Sequence, residues 1–185
     1  VTGLDTNTTF GLDRINKLNN YKFPFKTNDK QIYQKLNSIK KSKNLKAKIF
    51  NSKTIQESSI ILISTNFDFS KNKMKMLENI KVYANDFREI IKNVKKKTLI
   101  VIESTLPPGF IENIILPIFK TELKKRKIDF KSVYLGYSYE RVTPGRNYLN
   151  SIINGYRVYS GINKASKREC KNFLKKIINS KKYPL

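Results

Sequence analysis

The sequence predicts an α/β protein with a doubly wound, mainly parallel sheet. Short apolar runs alternate with segments of helical periodicity along the chain, which is the pattern of parallel strands joined by helices. Two segments, residues 59–65 and 98–102, contain uninterrupted apolar stretches, as strands do when helices cover both faces of a sheet. Polar residues follow the strand ends, which is where ligands bind in such sheets.

The individual elements follow from apolar spacing and from capping and turn residues. Strands are predicted at residues 1–5, 46–50, 59–65, 98–102, 133–137 and 156–160. Helices are predicted at residues 9–18, 29–39, 52–58, 73–93, 110–127 and 164–180. Pro117 is expected to kink its helix, because proline removes a backbone donor. Residues 138–151, which contain proline and glycine, are predicted as a loop.

The chain is strongly basic, with 38 Lys+Arg against 14 Asp+Glu and a formal net charge of +24. Such a charge attracts anionic ligands and polyanions. The lysines are spread from Lys17 to Lys182 rather than gathered in one stripe, and the abundance of Lys, Asn and Ile fits an AT-rich coding sequence. Nucleic-acid binding is therefore an alternative and not the preferred interpretation.

A single cysteine, Cys170, excludes an internal disulfide and suits a reducing compartment. It lies in a lysine-rich helical segment, and the chain has no histidine to activate it, so we interpret it as a half-buried helix residue. No apolar run approaches the roughly 20 residues of a membrane helix, and no signal-peptide pattern is present. We expect a cytoplasmic protein without membrane contact, and we assign no metal site.

Asp5 stands at the end of the first predicted strand. An acid at the end of a Rossmann strand accepts hydrogen bonds from the adenosine ribose and favours NAD over NADP. On spacing alone, a strand-end or helix-capping aspartate is the simpler interpretation, because the sequence contains no glycine-rich loop upstream that would support the first role.

Two later segments are more specific. Residues 103–109 have the sequence Glu-Ser-Thr-Leu-Pro-Pro-Gly and lead from a strand into a helix, so Thr105 offers a hydroxyl near a helix N-terminus, where anions bind. Residues 137–145 have the sequence Tyr-Ser-Tyr-Glu-Arg-Val-Thr-Pro-Gly, in which Glu140 and Arg141 place an acid or base beside an anion clamp. An ordinary strand-to-helix turn and a surface ion pair are the structural alternatives.

Together these segments resemble the UDP-glucose/GDP-mannose dehydrogenase family, and in particular its UDP-N-acetylmannosamine and related hexosaminuronate-forming branch. Residues 103–109 are similar to the family's Glu-Ser-Thr-Val-Pro-Pro-Gly, with Leu106 for Val. Residues 138–145 are similar to Ser-Pro-Glu-Arg-Val-x-Pro-Gly, with Tyr139 for Pro. Residues 156–161 resemble the family's Arg-Val-Val-Gly-Gly strand, and the order and spacing of the segments agree over nearly the whole chain.

The resemblance implies a partial Rossmann-like NAD-binding domain over residues 1–163, incomplete at its N-terminus. Residues 164–185 would form a helix that leads toward central and substrate domains. The implied cofactor is NAD. Asp5 would hold its adenosine ribose, Thr65 would contact it from the turn after a strand, and Thr105 would lie near the nicotinamide.

The family's reaction is a two-step, four-electron oxidation of a sugar C6 alcohol to a carboxylate with two NAD. The resemblance implies that Thr105 helps to order the catalytic water and that Glu140 supports proton transfer and hydrolysis. Glu140, Arg141 and Val142 would contact the nucleotide-sugar substrate. The family's catalytic cysteine and lysine belong to later parts of the chain, and Cys170 lies in the wrong place to substitute. The full-length parent is expected to form a homodimer.

The sequence also departs from the family. It lacks the glycine-rich loop, the central helix and the sugar-nucleotide domain, and Ser64-Thr-Asn66 replaces Pro-Thr-Pro. We therefore expect an inactive part of an NAD-dependent UDP-sugar dehydrogenase. The alternatives are a non-catalytic relative that binds a nucleotide-sugar or a partner protein, a Rossmann oxidoreductase of the 6-phosphogluconate or 3-hydroxyacid type, and a basic nucleic-acid-binding domain.

Overall fold

The structure is a computed structural model that describes residues 1–143, 145 and 147–185. Its strands are β1 (Thr2–Asp5), β2 (Lys46–Ile49), β3 (Ile60–Ile63), β4 (Leu99–Ile102), β5 (Tyr134–Tyr137) and β6 (Ser160–Gly161). Its helices are α1 (Thr9–Asn19), α2 (Lys30–Lys40), α3 (Ser52–Glu57), α4 (Lys73–Ile91), α5 (Leu116–Lys125), α6 (Tyr148–Ile153) and α7 (Lys164–Ile177). Within the described residues, none of these helices combines the length and apolar character that crossing a membrane requires.

The chain forms two compact units. Unit 1 comprises residues 1–54 and 141–155, and unit 2 comprises residues 55–140 and 156–185. The described strands form one two-stranded sheet, β1-β2, and one four-stranded sheet of order β3-β4-β5-β6. The division falls between Glu140 and Arg141, inside the second predicted motif.

Unit 1 is built on the parallel pair β1 and β2, in which Thr2 lies opposite Lys46. The Asn19 side chain at the end of α1 accepts a hydrogen bond from the Ala47 amide at 2.7 Å and donates one to the Ala47 carbonyl at 3.0 Å, which ties helix to strand. Asp29, 1% exposed, caps α2 with one carboxylate oxygen and accepts from the Leu149 amide with the other. This second bond holds α6 against α2.

Unit 2 contains the larger core. Strands β3, β4 and β5 are parallel, and β6 pairs antiparallel with β5. Every residue of β4 is buried, because the strand lies between two neighbours and carries apolar side chains on both faces. The fully buried side chains of α4 and α5 include Phe87, Ile91, Phe119 and Leu123. The predicted α/β class and parallel-dominated sheet are confirmed.

Helix α7 packs on the β4 and β5 strands of unit 2. Leu99 and Val101 of β4 form an apolar cluster with Cys170 and Leu174 of α7. A Cβ added at Gly136 of β5 would lie 2.9 Å from Cys170 Sγ. Glycine is therefore required at this point of the strand, because any side chain would push the helix away.

The prediction of a strand at residues 156–160 is wrong for most of its length. Only Ser160 and Gly161 pair with β5, while Tyr156 and Val158 are 67% and 62% exposed. Within this segment the Arg157 side chain is buried, and the two apolar residues lie outward. Extended backbone becomes a strand only where a neighbouring strand takes its hydrogen bonds.

Two further expectations are corrected in detail. Residues 138–151 are not loop throughout, because α6 begins at Tyr148, whose ring packs edge-on against Phe23 with centroids 5.4 Å apart. The helix predicted at residues 110–127 divides into a π-helical turn, Ile111–Ile115, followed by α5. Pro117 stands in the first turn of α5, where its missing N–H accounts for the change of hydrogen-bond spacing.

Candidate functional site

The carboxyl ends of β3, β4 and β5 meet at one edge of the unit 2 sheet. Thr65 follows β3, Thr105 follows β4 and Glu140 follows β5, and all three residues are exposed. We call this edge the carboxyl-end site. The sheet register aligns Ile63 with Ile102 and Ile102 with Tyr137, so parallel pairing alone brings the three segments together. This is the edge at which parallel α/β sheets bind ligands.

Ser104 fixes the turn after β4 to the turn after β3. Its hydroxyl donates to the Thr65 carbonyl at 2.6 Å and accepts from the Tyr83 hydroxyl at 3.0 Å. Burial raises the pKa of Tyr83 to about 12, so the phenol stays protonated and remains a donor at neutral pH. The chain of bonds holds Thr65 and Thr105 on a rigid support.

Aromatic packing completes that support. The rings of Phe67, Tyr83 and Phe110 form edge-to-face pairs with centroids 5.2 to 5.9 Å apart. Gly109 has a positive φ of 79°, a conformation that glycine adopts readily. A Cβ there would lie 2.9 Å from Asn113 Nδ2 in the following turn. The backbone conformation and this close approach together favour glycine as the last residue of the 103–109 motif.

A buried ion pair lies beneath the site. Arg157 donates to Glu103 Oε1 at 2.7 Å, with side-chain exposures of only 7% and 15%. The Ser64 hydroxyl also approaches this carboxylate, at 3.4 Å. The Glu103 carbonyl accepts the Glu140 amide at 3.0 Å. Glu103 therefore connects the ends of three strands.

Burial raises the pKa of Glu103 above its usual value, and the positive charge of Arg157 opposes that rise without cancelling it. Glu140 adds a smaller repulsion in the same direction as burial. Neither Glu103 nor Arg157 stood among the predicted site residues. No local signal pointed to this pair, because alternation in a strand-like segment predicts that the apolar Tyr156 and Val158 lie inward and that Arg157 lies outward.

Asp5 lies in unit 1, at the end of β1. Arg14 of α1 donates to both of its carboxylate oxygens, at 2.6 and 2.7 Å, and the Thr6 amide donates at 2.8 Å. The hydrogen bond from Arg14 is the main cause that holds the pKa of Asp5 below its usual value. Asp5 is thus a fixed anion with a cation beside it. The prediction did not include Arg14, although its place on the helix after Asp5 could have pointed to it.

Arg141 and Val142 belong to unit 1, where Arg141 is exposed and Val142 half-buried. The next residue, Thr143, donates its amide to the Ser151 hydroxyl at 3.0 Å, which ties this segment to α6. Pro144 of the predicted motif lies outside the described residues.

Cys170 is buried, and burial raises the pKa of its thiol to about 11. A thiol in that state is protonated at neutral pH and is a poor nucleophile. This agrees with the interpretation of Cys170 as a packing residue, although the side chain is fully rather than half buried.

Comparison with known proteins decides the family. The model of the UDP-glucose/GDP-mannose dehydrogenase family, NAD binding domain, matches residues 1–179. The chain belongs to this family. A UDP-N-acetyl-D-mannosamine dehydrogenase from Methanococcus aeolicus is 33% identical over 110 residues, which cover 60% of this chain and 21% of that relative. The predicted family and its NAD cofactor are confirmed at the level of the domain.

Solved structures agree on the fold. An NDP-N-acetyl-D-galactosaminuronic acid dehydrogenase from Methanosarcina mazei Go1 superposes with a TM-score of 0.80 at 21% identity and covers 97% of this chain and 37% of its own. A UDP-N-acetyl-mannosamine dehydrogenase from S. aureus gives 0.75 at 21% identity, with coverages of 97% and 40%. The chain thus matches about two fifths or less of these longer proteins, and it has their Rossmann-like fold.

Proposed function

We propose that this chain supplies part of the cofactor site of an NAD-dependent dehydrogenase that oxidises the C6 alcohol of a UDP-sugar to a uronate, and that it is inactive alone. The observation that carries the proposal is the carboxyl-end site, where Thr65, Thr105 and Glu140 are exposed on a rigid support within the family's NAD-binding domain. The similarity to UDP-N-acetyl-D-mannosamine dehydrogenases supports an N-acetylated UDP-sugar as substrate.

The exposed threonines fit a nicotinamide cofactor in their chemistry. A hydroxyl can both donate and accept, so Thr65 and Thr105 suit the mixed polar groups of a dinucleotide. Asp5, held by Arg14, would accept from the ribose hydroxyls of the adenosine half. When bound there, NAD would supply the hydride acceptor for the oxidation.

The chain's own residues would serve the reaction by positioning and proton transfer. Glu140 would accept the proton released when the C6 alcohol is oxidised, because it offers an exposed carboxylate at the carboxyl-end site. Thr105 would orient the water that attacks the oxidised carbon. Arg141 and Val142 would contact the nucleotide-sugar, the former through its positive charge.

The proposed inactivity of this chain rests on the burial and protonation of the thiol of its only cysteine. The family's second oxidation step requires a thiol that can attack an aldehyde, and the Cys170 thiol is buried with a raised pKa. The expected carrier of that step therefore lies in a part of the enzyme outside these residues.

NMR titration of the chain with NAD tests the site assignment. We expect shifts in the amide signals of residues 65 and 105, and weaker binding in Thr105→Ala but not in Thr121→Ala, which removes an exposed hydroxyl from α5. Shifts confined to other residues, or equal effects of both variants, would overturn the assignment. NADH formation by this chain with a UDP-sugar would overturn the proposed inactivity.

A further inference from the structure

The amino ends of β4 and β5 in unit 2 carry a group of lysines from two distant parts of the sequence. Lys96 and Lys97 precede β4, while α5 and the turn after it precede β5. The Lys97 amide donates to the Ser132 carbonyl at 2.6 Å, which joins the two segments. The Arg126 side chain donates to the Ile91 carbonyl at 2.8 Å and holds the ends of α4 and α5 together.

An open cavity of about 440 Å³ lies within this group. It is lined by Lys120, Lys124, Lys127, Ile128, Asp129 and Phe130. The Phe130 ring is half-buried, and Lys120 Nζ stands 5.3 Å from its centroid. An aromatic ring with cations around it offers a stacking surface beside an anion-binding rim.

We define the amino-end basic surface as Phe130 together with six exposed lysines, namely Lys96, Lys97, Lys120, Lys124, Lys127 and Lys131. Among the described residues, none of these six lysines forms an ion pair with a carboxylate. Asp129 lies nearby, and its carboxylate accepts the Lys131 amide and caps a short 3-10 turn. Lys125 is left out, since it pairs with Glu122.

We propose that the amino-end basic surface binds single-stranded nucleic acid, with a base stacked on Phe130 and phosphates held by the lysines. Single strands fit better than a duplex, because a base can leave the strand to stack on the ring, whereas duplex bases are already stacked. Lys120, Lys124 and Lys127 line one cavity, and the backbone bond from residue 97 to residue 132 brings Lys97 to the segment that contains Lys131. The dispersal of lysines along the sequence therefore does not argue against such a surface. This activity is independent of the dehydrogenase site at the opposite end of the same strands.

Helix stability offers a different explanation of two of the lysines. Lys124 lies in the last turn of α5 and Lys127 lies two residues beyond its end, where positive charge is favourable for the helix dipole. That explanation predicts that their removal lowers stability and leaves nucleic-acid affinity unchanged. It gives no role to Phe130 or to Lys96 and Lys97.

Fluorescence anisotropy with a labelled oligouridine tests the proposal on this chain. We expect log Kd to vary with log salt concentration by about 0.7 for each phosphate neutralised. The variant Lys120→Gln/Lys124→Gln/Lys127→Gln should lose at least about tenfold in affinity, and its salt slope should fall by about 2. The matched control Lys71→Gln/Lys73→Gln/Lys75→Gln removes the same charge near the start of α4 and should change affinity by about twofold or less.

The Phe130 ring gives a second, independent measurement. Phe130→Leu should weaken oligonucleotide binding on the order of tenfold without changing the salt slope. Phe130→Tyr should keep the affinity of the natural chain, because stacking needs a ring. A labelled duplex should bind more weakly than the single strand. Urea unfolding of each variant confirms that it remains folded.

Equal losses in the two triple-lysine variants would overturn the proposal, because they would indicate attraction by net charge alone. An unchanged affinity in Phe130→Leu would also overturn the proposal. Excess NAD should not displace the oligonucleotide. If it does, the oligonucleotide binds at the carboxyl-end site instead of the amino-end basic surface. Failure of NAD binding has no bearing on this surface, so the two proposals are tested separately.

Discussion

The two ends of the unit 2 sheet hold polar residues in opposite ways. At the carboxyl end, Glu103, Arg157, Ser104 and Tyr83 are buried and bonded to one another or to the backbone. At the amino end, the lysines are exposed and the structure describes no carboxylate partner for those of the amino-end basic surface. Buried polar groups therefore specify the shape of a site, whereas exposed charges supply attraction without fixing its geometry.

The largest expected effect is the loss of Arg157. Arg157→Met leaves the Glu103 carboxylate buried without its partner, which should cost about 3–5 kcal/mol in free energy of unfolding. The measurement is urea unfolding at neutral pH. The control is Arg168→Met, whose pair with Glu169 has side-chain exposures of 68% and 32% and should be worth less than about 1 kcal/mol. Similar losses in both variants would show that the Glu103 pair is no more important than a surface pair.

A smaller effect is expected from pH, through Glu103. Because its folded pKa lies above the ordinary 4.5, the folded state binds more proton than the unfolded state in the interval above that value. The stability that Glu103 contributes is therefore present below the unfolded pKa and is lost as pH rises through the folded one. Relative to Glu103→Gln, the natural chain should become less stable over this interval. A rising or flat difference in unfolding free energy would contradict the direction.

The smallest effect is expected at the amino end. Lys96→Gln/Lys97→Gln should change the free energy of unfolding by about 0.5 kcal/mol or less, since exposed charges without fixed partners contribute little to stability. Thermal unfolding at low and high salt checks this. A loss comparable to that of Arg157→Met would mean that the amino-end lysines are structural, and the contrast between the two ends would disappear.

Much of the fold was predictable because its signals are local. The apolar stretches of β3 and β4 are continuous in sequence, and the Pro-Pro-Gly of residues 107–109 marks a turn before a helix. The family could also be predicted, because the motifs at residues 103–109 and 138–145 are short and specific. The predicted roles of Asp5, Thr65, Thr105, Glu140, Arg141 and Val142 stay predictions, as does the domain boundary at residue 163.

Other features depended on pairing between distant segments. Residues 156–160 have a strand-like alternation. In this part of the chain the pairing with β5 is limited to Ser160 and the following Gly161. A local pattern does not indicate which residues will have a partner strand. The position of α6 depends on the Asp29 carboxylate, which bonds a backbone amide 120 residues away. A local reading of residues 138–151 could only indicate a loop.

The α/β class, the order of most elements, the family and the strand ends at which polar residues gather could all be predicted from the sequence. These are properties of apolar spacing and of short motifs, which act over a few residues. Tertiary packing set the contacts of Arg157 with Glu103 and of Arg14 with Asp5, and it placed the Lys97 amide against the Ser132 carbonyl. The sequence around a charged residue does not identify its ion-pair partner. The partner is fixed only when packing removes both charged groups from water or brings two surfaces together.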